Sequence, residues 1–401
     1  MRVASNRDWL NKASVKSLIQ IIDAGNNQSR FVGGCVRDSI LGRPVLDIDI
    51  ATRHSPDKII QLLSSSNIIV RPTGIKHGTV SAFLDDQVFE ITSLRRDLKT
   101  DGRHAEISFT DSWAEDAARR DFTMNALFMD KHGNIFDPVG GYKDVIRGRV
   151  CFVGDASRRI QEDFLRILRF FRFYAYFGQE QIDRDGLAAC KKFAGELKAL
   201  SGERIQSELF KIILSTNAFT ALSKMSENKI MSKIFPGRLR MSEFSRLVFL
   251  EGADSDPIKR LAILLTTPTE KVIETLKLSN RMADHLTFYC EKEIDVSEEP
   301  KEIKRLFYEM RKMDLLGLLL IKTALNPKYK KMRDVANTIA QNWSVPTFPL
   351  RGLDLLKLGM KPGIEVGNLL KKVERWWILS GFKYNKEDCL KWVRDHYINE
   401  R

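Results

Sequence analysis

The chain runs to 401 residues, 43% of them hydrophobic and 29% charged, and its 65 Lys and Arg against 52 Asp and Glu leave a formal net charge of +13. This apolar content excludes the disordered class, and the length allows two or more cores at roughly 100–200 residues per domain. The positive excess predicts a polyanionic partner; nucleic acid suits it best, because clustered Lys and Arg neutralise phosphates and release counterions.

In chain order, apolar residues at helical spacing (Trp9, Leu10, Val15, Leu18, Ile19, Ile22) predict a helix over residues 9–22. Strands follow at Arg30–Val32, Leu46–Ala51, Thr79–Leu84 and Val88–Thr92, the last two joined by the turn Asp85-Asp86. Ala126–Met129 and Ile135-Phe136 form another pair around Lys131-His132-Gly133-Asn134. Beyond about Asp155 strand signals fade. Amphipathic patterns predict helices at Arg158–Phe177, Gly186–Leu200, Arg204–Leu214, Ile258–Leu265, Glu270–Leu278 and Lys301–Leu320. Proline and glycine gather in Val345–Gly367, which predicts a loop-rich element. The reading is an α+β N-terminal domain followed by an all-helical remainder.

The most specific chemistry lies in Gly33-Gly34-Cys35-Val36-Arg37-Asp38 followed by Asp47-Ile48-Asp49-Ile50. Residues two apart on a strand share a face, so Asp47 and Asp49 can hold hard cations together while Ile48 and Ile50 enter a core. Paired glycines let a backbone approach phosphate, and with Arg37 they make an anion cradle. Metal-assisted phosphoryl transfer needs such a combination. Glu90, flanked by apolar residues in a strand, is a candidate third acid. In Arg119-Arg120-Asp121-Phe122-Thr123-Met124-Asn125-Ala126 the arginines supply phosphate donors, and Asp121 and Asn125 are candidates for ribose hydroxyls.

The fourth element is Glu162-Asp163-Phe164-Leu165-Arg166-Ile167-Leu168-Arg169-Phe170-Phe171-Arg172. On one continuous helix Asp163, Arg166 and Arg169 would share an edge. Asp163 only accepts hydrogen bonds and Arg166 only donates them. Held together, they complement the amino donor and ring-nitrogen acceptor of cytosine and adenine, and leave uracil and guanine mispaired. A protein with this pair chooses C and A without a template.

Together these motifs resemble class II tRNA nucleotidyltransferases, the CCA-adding enzymes of the tRNA nucleotidyltransferase/poly(A) polymerase family. Asp137-Pro138-x-x-Gly140-Gly141-x-x-Asp144 is similar to that family's hinge-like segment. The resemblance is strong from about Phe31 to Phe173 and looser beyond. It implies a polymerase-β-like nucleotidyltransferase head with a small mixed sheet (1–149), then an all-α neck (150–215), body (216–300) and tail (301–401). It also implies two Mg2+ ions at Asp47 and Asp49, with CTP and ATP as substrates. Nucleotide contacts fall at Gly33, Gly34, Arg37, Arg120, Asp121, Asn125, Asp163, Arg166, Arg169 and Arg172. The implied partner is tRNA, through its 3′ end and acceptor/TΨC arm. Asp101-Gly102-Arg103-His104 resembles the loop used in switching from CTP to ATP.

A bacterial poly(A) polymerase shares the motifs. The segment Leu350-Arg351-Gly352-x-Asp354-Leu355-Leu356…Gly359-x-Lys361-Pro362-Gly363-x-x-x-Gly367, similar to a tail element of CCA-adding enzymes, favours CCA addition. CC-only and A-only addition stay open, as does a non-catalytic RNA-binding role, which the intact acids argue against. No His-Asp dipeptide occurs, against an appended phosphohydrolase of the HD type. Five dispersed cysteines without a CxxC pair argue against structural zinc and a disulfide framework, and predict a cytoplasmic setting. Charges throughout Met1–Gln20 argue against a signal peptide, and no apolar run approaches a membrane span.

Overall fold

The computed structural model describes residues 6–23, 27–100, 105–179, 181–252 and 254–398. The chain divides into two compact units, one of residues 1–239 with 270–279, the other of residues 240–269 with 280–401. The Asp101–His104 segment lies outside the described residues.

In the first unit, helix α1 (Ala13–Ile22) buries Val15, Leu18, Ile19 and Ile22, a stripe with helical period. Strand β1 (Ser29–Val32) runs through Gly33 into helix α2 (Gly34–Ile40). Next come β2 (Ile48–Thr52), α3 (Pro56–Ser64), β3 (Ile69–Gly74), β4 (Thr79–Leu84) and β5 (Gln87–Ser93). Ser55 caps α3 by accepting from the Lys58 amide, with Pro56 at its first position. Asp85 and Asp86 turn the β4–β5 hairpin with φ of 49° and 58°, as a type I′ turn requires. Hairpin β6 (Arg95–Thr100) and β7 (Ala105–Phe109) stands apart from the main sheet. Helix α4 (Trp113–Ala118), strands β8 (Phe128–Met129) and β9 (Ile135–Phe136) and helix α5 (Gly141–Arg147) complete the head.

Among the described residues the sheet has the order β3-β4-β5-β2-β1-β8-β9, seven strands. Only β2 and β5 pair in parallel, with Asp49 beside Glu90; the other pairs are antiparallel. Ile48 and Ile50 point into the core, while Asp47 and Asp49 lie to the other side. The strand begins at Ile48 rather than at Leu46, which is 81% exposed.

Helices α6 (Ala156–Glu162), α7 (Arg166–Phe177), α8 (Arg184–Phe193), α9 (Gly202–Leu214) and α10 (Ala218–Glu227) follow. The continuous helix expected over 158–177 is broken at Asp163, whose extended backbone (φ −157°, ψ 108°) caps α6. Phe122, Phe152, Phe170 and Phe173 pack ring to ring and join α7 to the head.

The second unit is helical. The expected helix 301–320 is instead Pro300–Glu309 and Lys312–Leu325, separated at Met310-Arg311. Their apolar faces meet Lys330–Asn342 around Phe307, Leu315, Leu319 and Met332. A second core gathers Leu355, Leu369, Val373, Trp377, Cys389 and Val393. Within the expected loop-rich stretch, Gly352–Lys357 forms a short helix and Ile364–Leu379 a long one. No helix among the described residues is long and apolar enough to cross a membrane, and the five cysteines are all free.

Candidate active site

Asp49, second residue of β2, has Glu90 as its strand neighbour and Asp47 two residues before it. Burial pushes its carboxyl up to about 6; the charges of Glu90 and Asp47 add to the rise, and Arg120 opposes it. A carboxylate destabilised by its own neighbours is one that a cation would relieve. No three His, Cys, Asp or Glu among the described residues converge closely enough to hold an ion alone. Glu90 stands beside Asp49 in the neighbouring strand as an adjacent negative charge. The donor set fits Mg2+, which accepts two carboxylates and completes its shell with water and substrate phosphate.

Gly33 has φ of 75°, which a side chain would strain, and Nη1 of Arg120 stands 3.7 Å from where its Cβ would be. Arg120 thus lies beside both the glycine turn and Asp49. It is held by Asp116, which sequence reasoning missed. Asp116 is 1% exposed and accepts from Arg120 Nε and Nη2 at 3.1 and 2.9 Å, and from Arg119 Nε at 2.8 Å. It also accepts from the Arg95 amide at 3.3 Å, linking the base of the β6–β7 hairpin to the arginines. Burial pushes the Asp116 carboxyl up, but Arg120 and Arg119 together hold it below its usual value. The signal was in the chain: an acid three and four residues before two arginines faces both on a helix.

Three residues expected to contact nucleotide already have partners within the chain. Arg37 is largely buried: its side chain is 10% exposed, with Nε and Nη2 donating to Asp38 and Nη1 to Asn125 Oδ1 at 2.8 Å, which leaves one N–H on each terminal nitrogen, and Nη2 stands 3.7 Å from where a Cβ of Gly34 would be. Its guanidinium lies 4.0 Å over Phe177. Asp121 is closed. Oδ1 accepts from the Phe122 amide (2.8 Å) and Asn125 Nδ2 (3.2 Å), and Oδ2 from Arg169 Nε (2.8 Å) and Nη2 (2.5 Å). Four donors occupy its four lone-pair positions, so none is left for a ribose. Asn125 is engaged at both ends. These residues form a buried chain, Arg37–Asn125–Asp121–Arg169. It continues to Glu208 on α9, which accepts from Arg172 Nη1 at 2.8 Å and lies 3.8 Å from Arg169.

The expected Asp163–Arg166 pair is not formed directly. Asp163 Oδ2 accepts from Arg204 Nη2 of α9 at 2.8 Å, and Oδ1 from the Leu165 amide at 3.1 Å. Arg166 Nη1 donates to Glu162 Oε2 at 2.6 Å and to the Arg159 carbonyl at 2.8 Å, and Nη2 donates to the Arg119 carbonyl at 3.4 Å. Each oxygen of Asp163 keeps a lone pair, and Arg166 keeps its Nε–H and one Nη2–H. Asp163 is 22% exposed at the side chain. A cleft of about 600 Å³ lined by Leu165, Ser201, Glu203, Arg204, Ser207 and Glu208 includes Arg204, the ion-pair partner of Asp163. Arg204 and Glu208 escaped sequence reading because they act from α9, forty residues away in the chain.

The Asp137–Asp144 segment is clasped to the arginine motif. Asp137 accepts from the Gly141 and Tyr142 amides, and Thr123 Oγ1 donates to Asp144 at 2.7 Å. A Cβ at Gly141 would fall 2.0 Å from the Thr123 carbonyl oxygen.

A mixed-sheet head carrying paired carboxylates, fastened to a helix with an open acceptor and donor, defines a nucleotidyltransferase head and neck. Residues 29–151 match the family described as "Poly A polymerase head domain", and residues 181–240 match "Probable RNA and SrmB- binding site of polymerase A". The chain is 34% identical over 393 residues to the Mus musculus mitochondrial CCA tRNA nucleotidyltransferase 1, covering 95% of this chain and 89% of that protein. It is 32% identical over 389 residues to the Streptococcus uberis CCA-adding enzyme, covering 92% and 93%. The Bacillus stearothermophilus CCA-adding enzyme solved in complex with CTP superposes with a TM-score of 0.76 at 25% identity, covering 96% and 98%. The chain belongs to the CCA-adding tRNA nucleotidyltransferase family.

Proposed function

We propose that this protein adds CCA to the 3′ end of tRNA from CTP and ATP, releasing pyrophosphate and using no nucleic-acid template. One observation carries the reading: Asp49 of β2, with Asp47 and Glu90 beside it, feels the charge of Arg120 in the same unit that holds Asp163 and Arg166 with spare hydrogen-bonding capacity, in a chain similar to CCA-adding enzymes over nearly its whole length.

Asp47 and Asp49 would hold magnesium, two ions in this reading, which supply an activated 3′-hydroxyl and a stabilised pyrophosphate leaving group. Arg120, oriented by Asp116, neutralises the triphosphate beside the Gly33-Gly34 turn. Glu90 adds its own negative charge beside Asp49, so that a bound cation relieves the repulsion between them. Asp163 accepts from the exocyclic amino group of cytosine or adenine, and Arg166 donates to the ring nitrogen. Arg169 and Arg172, anchored on Asp121 and Glu208, hold α7 at the angle this reading requires. Positioning and charge stabilisation provide most of the rate.

We assign the catalytic head to residues 1–149, base recognition to a neck at 150–215, a body to 216–300 and a tRNA-binding tail to 301–401, which meets the acceptor/TΨC arm. Five unpaired cysteines suit a reducing cytoplasmic setting.

The head-domain description also names poly(A) polymerases, so polyadenylation is the second reading. A tRNA ending before CCA, offered CTP alone, ATP alone or both, separates them. Ordered addition of C, C and A is expected. Long A tails from ATP alone indicate the polymerase, and additions stopping at CC or limited to A indicate the restricted enzymes.

A further inference from the structure

The second unit carries a stack of four aromatic rings at the margin of its core, against which Trp376 and Trp392 pack on one side. Tyr384 lies 4.4 Å from Trp376 with planes 4° apart; Trp376 lies 5.5 Å from Trp392 at 28°; Trp392 lies 4.5 Å from His396 at 15°. The fully buried core behind it is made by Val373, Trp377, Cys389 and Val393, each at most 2% exposed. The ladder is the outer face of the same helices: Trp376 and Trp392 are half-buried, Tyr384 is 41% exposed and His396 is exposed.

The backbone fixes this face firmly. Helix Ile364–Leu379 ends in Gly381 and Phe382 at positive φ, and Trp377 Nε1 donates to the Tyr384 carbonyl at 2.7 Å, pinning the returning chain. Asn385 then caps Lys386–Val393, accepting from the Glu387 and Asp388 amides. Two helices and a pinned turn thus present the rings already ordered, so a ligand meets little conformational cost there.

Near-parallel rings with an exposed end are what an unpaired nucleobase extends, since every base has a π-face and stacks on aromatic side chains with little sequence preference. The surrounding charge agrees. Three rungs have an exposed cation as chain neighbour: Arg375 before Trp376, Lys383 before Tyr384 and Lys391 before Trp392. Over residues 350–398 there are ten Lys and Arg against six Asp and Glu. Lys372, one turn before Trp376, lies 5.1 Å from the ring of Tyr397, which stands 6.2 Å from Trp392. Cations interleaved with stacked rings suit a phosphate backbone bearing a flipped-out base; a protein surface would not call for both.

We infer that the Tyr384–Trp376–Trp392–His396 ladder is a stacking platform for an unpaired base of the RNA substrate, docking at the Tyr384 end with its flanking phosphates on the neighbouring cations. The inference rests on the proposed tRNA substrate and locates on this chain one contact of its tail.

The test uses the full chain, a tRNA transcript ending before CCA, and binding measured over a range of salt. Y384L should weaken binding about tenfold without changing the salt slope, and Y384W should restore it, because stacking is not screened as phosphate contacts are. K383A should weaken binding modestly and reduce the slope by about one. Melting curves of Y384L and Y384W establish that both fold. Y384L binding as the wild type does, or Y384W failing to restore binding while folded, overturns the platform and leaves the proposed function intact. A wild-type chain that binds no tRNA overturns both.

Discussion

Two Asp–Arg clusters of the first unit read alike in sequence and differ in what they leave over. Around Asp121 four donors meet four lone pairs, and Arg37, Asn125 and Arg169 are turned inward with it. Around Asp163 each carboxylate oxygen accepts once, and the nearby Arg166 retains free N–H groups among its described partners. A saturated buried network rigidifies, whereas spare capacity beside a cleft can bind. Residual hydrogen-bonding capacity, more than residue type, therefore separates the closed cluster from the proposed reader of the base.

The largest expected effect lies outside both clusters and sets their baseline. Asp49→Asn should lower nucleotide incorporation by about a thousandfold or more, as loss of a principal electrostatic group does, measured by single-turnover CMP addition. Its folding should be undiminished, because Asp49 is strained by its neighbours when charged.

Next comes the reader. Asp163→Ala should reduce discrimination of CTP over UTP by about a hundredfold, in line with the loss of one specific polar contact. Its melting temperature should stay near that of the wild type, since Asp163 is partly exposed and capped by a single cation.

The scaffold should behave in reverse. Asp121→Asn removes the carboxylate that Arg169 donates to twice, leaving Glu208 at 3.8 Å as its remaining acid, and should cost about 3 kcal/mol, roughly 10 °C in unfolding midpoint, by scanning calorimetry. Activity at a permissive temperature should keep its C-and-A preference.

The pH dependence sharpens the contrast further. Burial raises the Asp121 carboxyl, but Arg169 and its other donors outweigh this and hold it below the ordinary value, and Asp116 is likewise lowered. A carboxyl depressed in the folded state stabilises above its unfolded value near 3.9 and loses that contribution as pH falls through the folded value. Wild-type stability should drop steeply below about pH 4. Asp121→Asn should show a shallower acid limb in melting experiments.

The smallest expected effect belongs to the support behind Arg120. Asp116→Asn should raise the KM for both nucleotides about tenfold while changing kcat less, since second-layer partners typically act on that scale.

Much of this was legible in the chain. The alternation Asp47-Ile48-Asp49-Ile50 placed acids and core on opposite faces because strand period is fixed by the backbone. The Arg119–Ala126 motif and the α7 arginines announced a polar cluster. What the motifs did not announce was which groups were already paired. Asp121, Asn125 and Arg37 looked like substrate ligands because their partners, eighty-eight residues apart in the Arg37–Asn125 case, meet only in the fold. The break at Asp163 was hidden because Glu162 to Arg172 keeps helical periodicity across it. Arg204 and Glu208 are contributed by α9 and carry no local signature. Strand β3, with its exposed Ile69, lacked the apolar alternation that marks the others.

The central claim is that Asp163 reads the base while Asp121 only supports the reader. It is tested most directly by measuring incorporation of all four nucleotides into a tRNA lacking CCA, side by side for wild type, Asp163→Ala and Asp121→Asn below their melting temperatures. The account predicts CMP and AMP alone for the wild type and Asp121→Asn, with UMP or GMP entering only for Asp163→Ala. Relaxed selection in Asp121→Asn with selection retained in Asp163→Ala would contradict it.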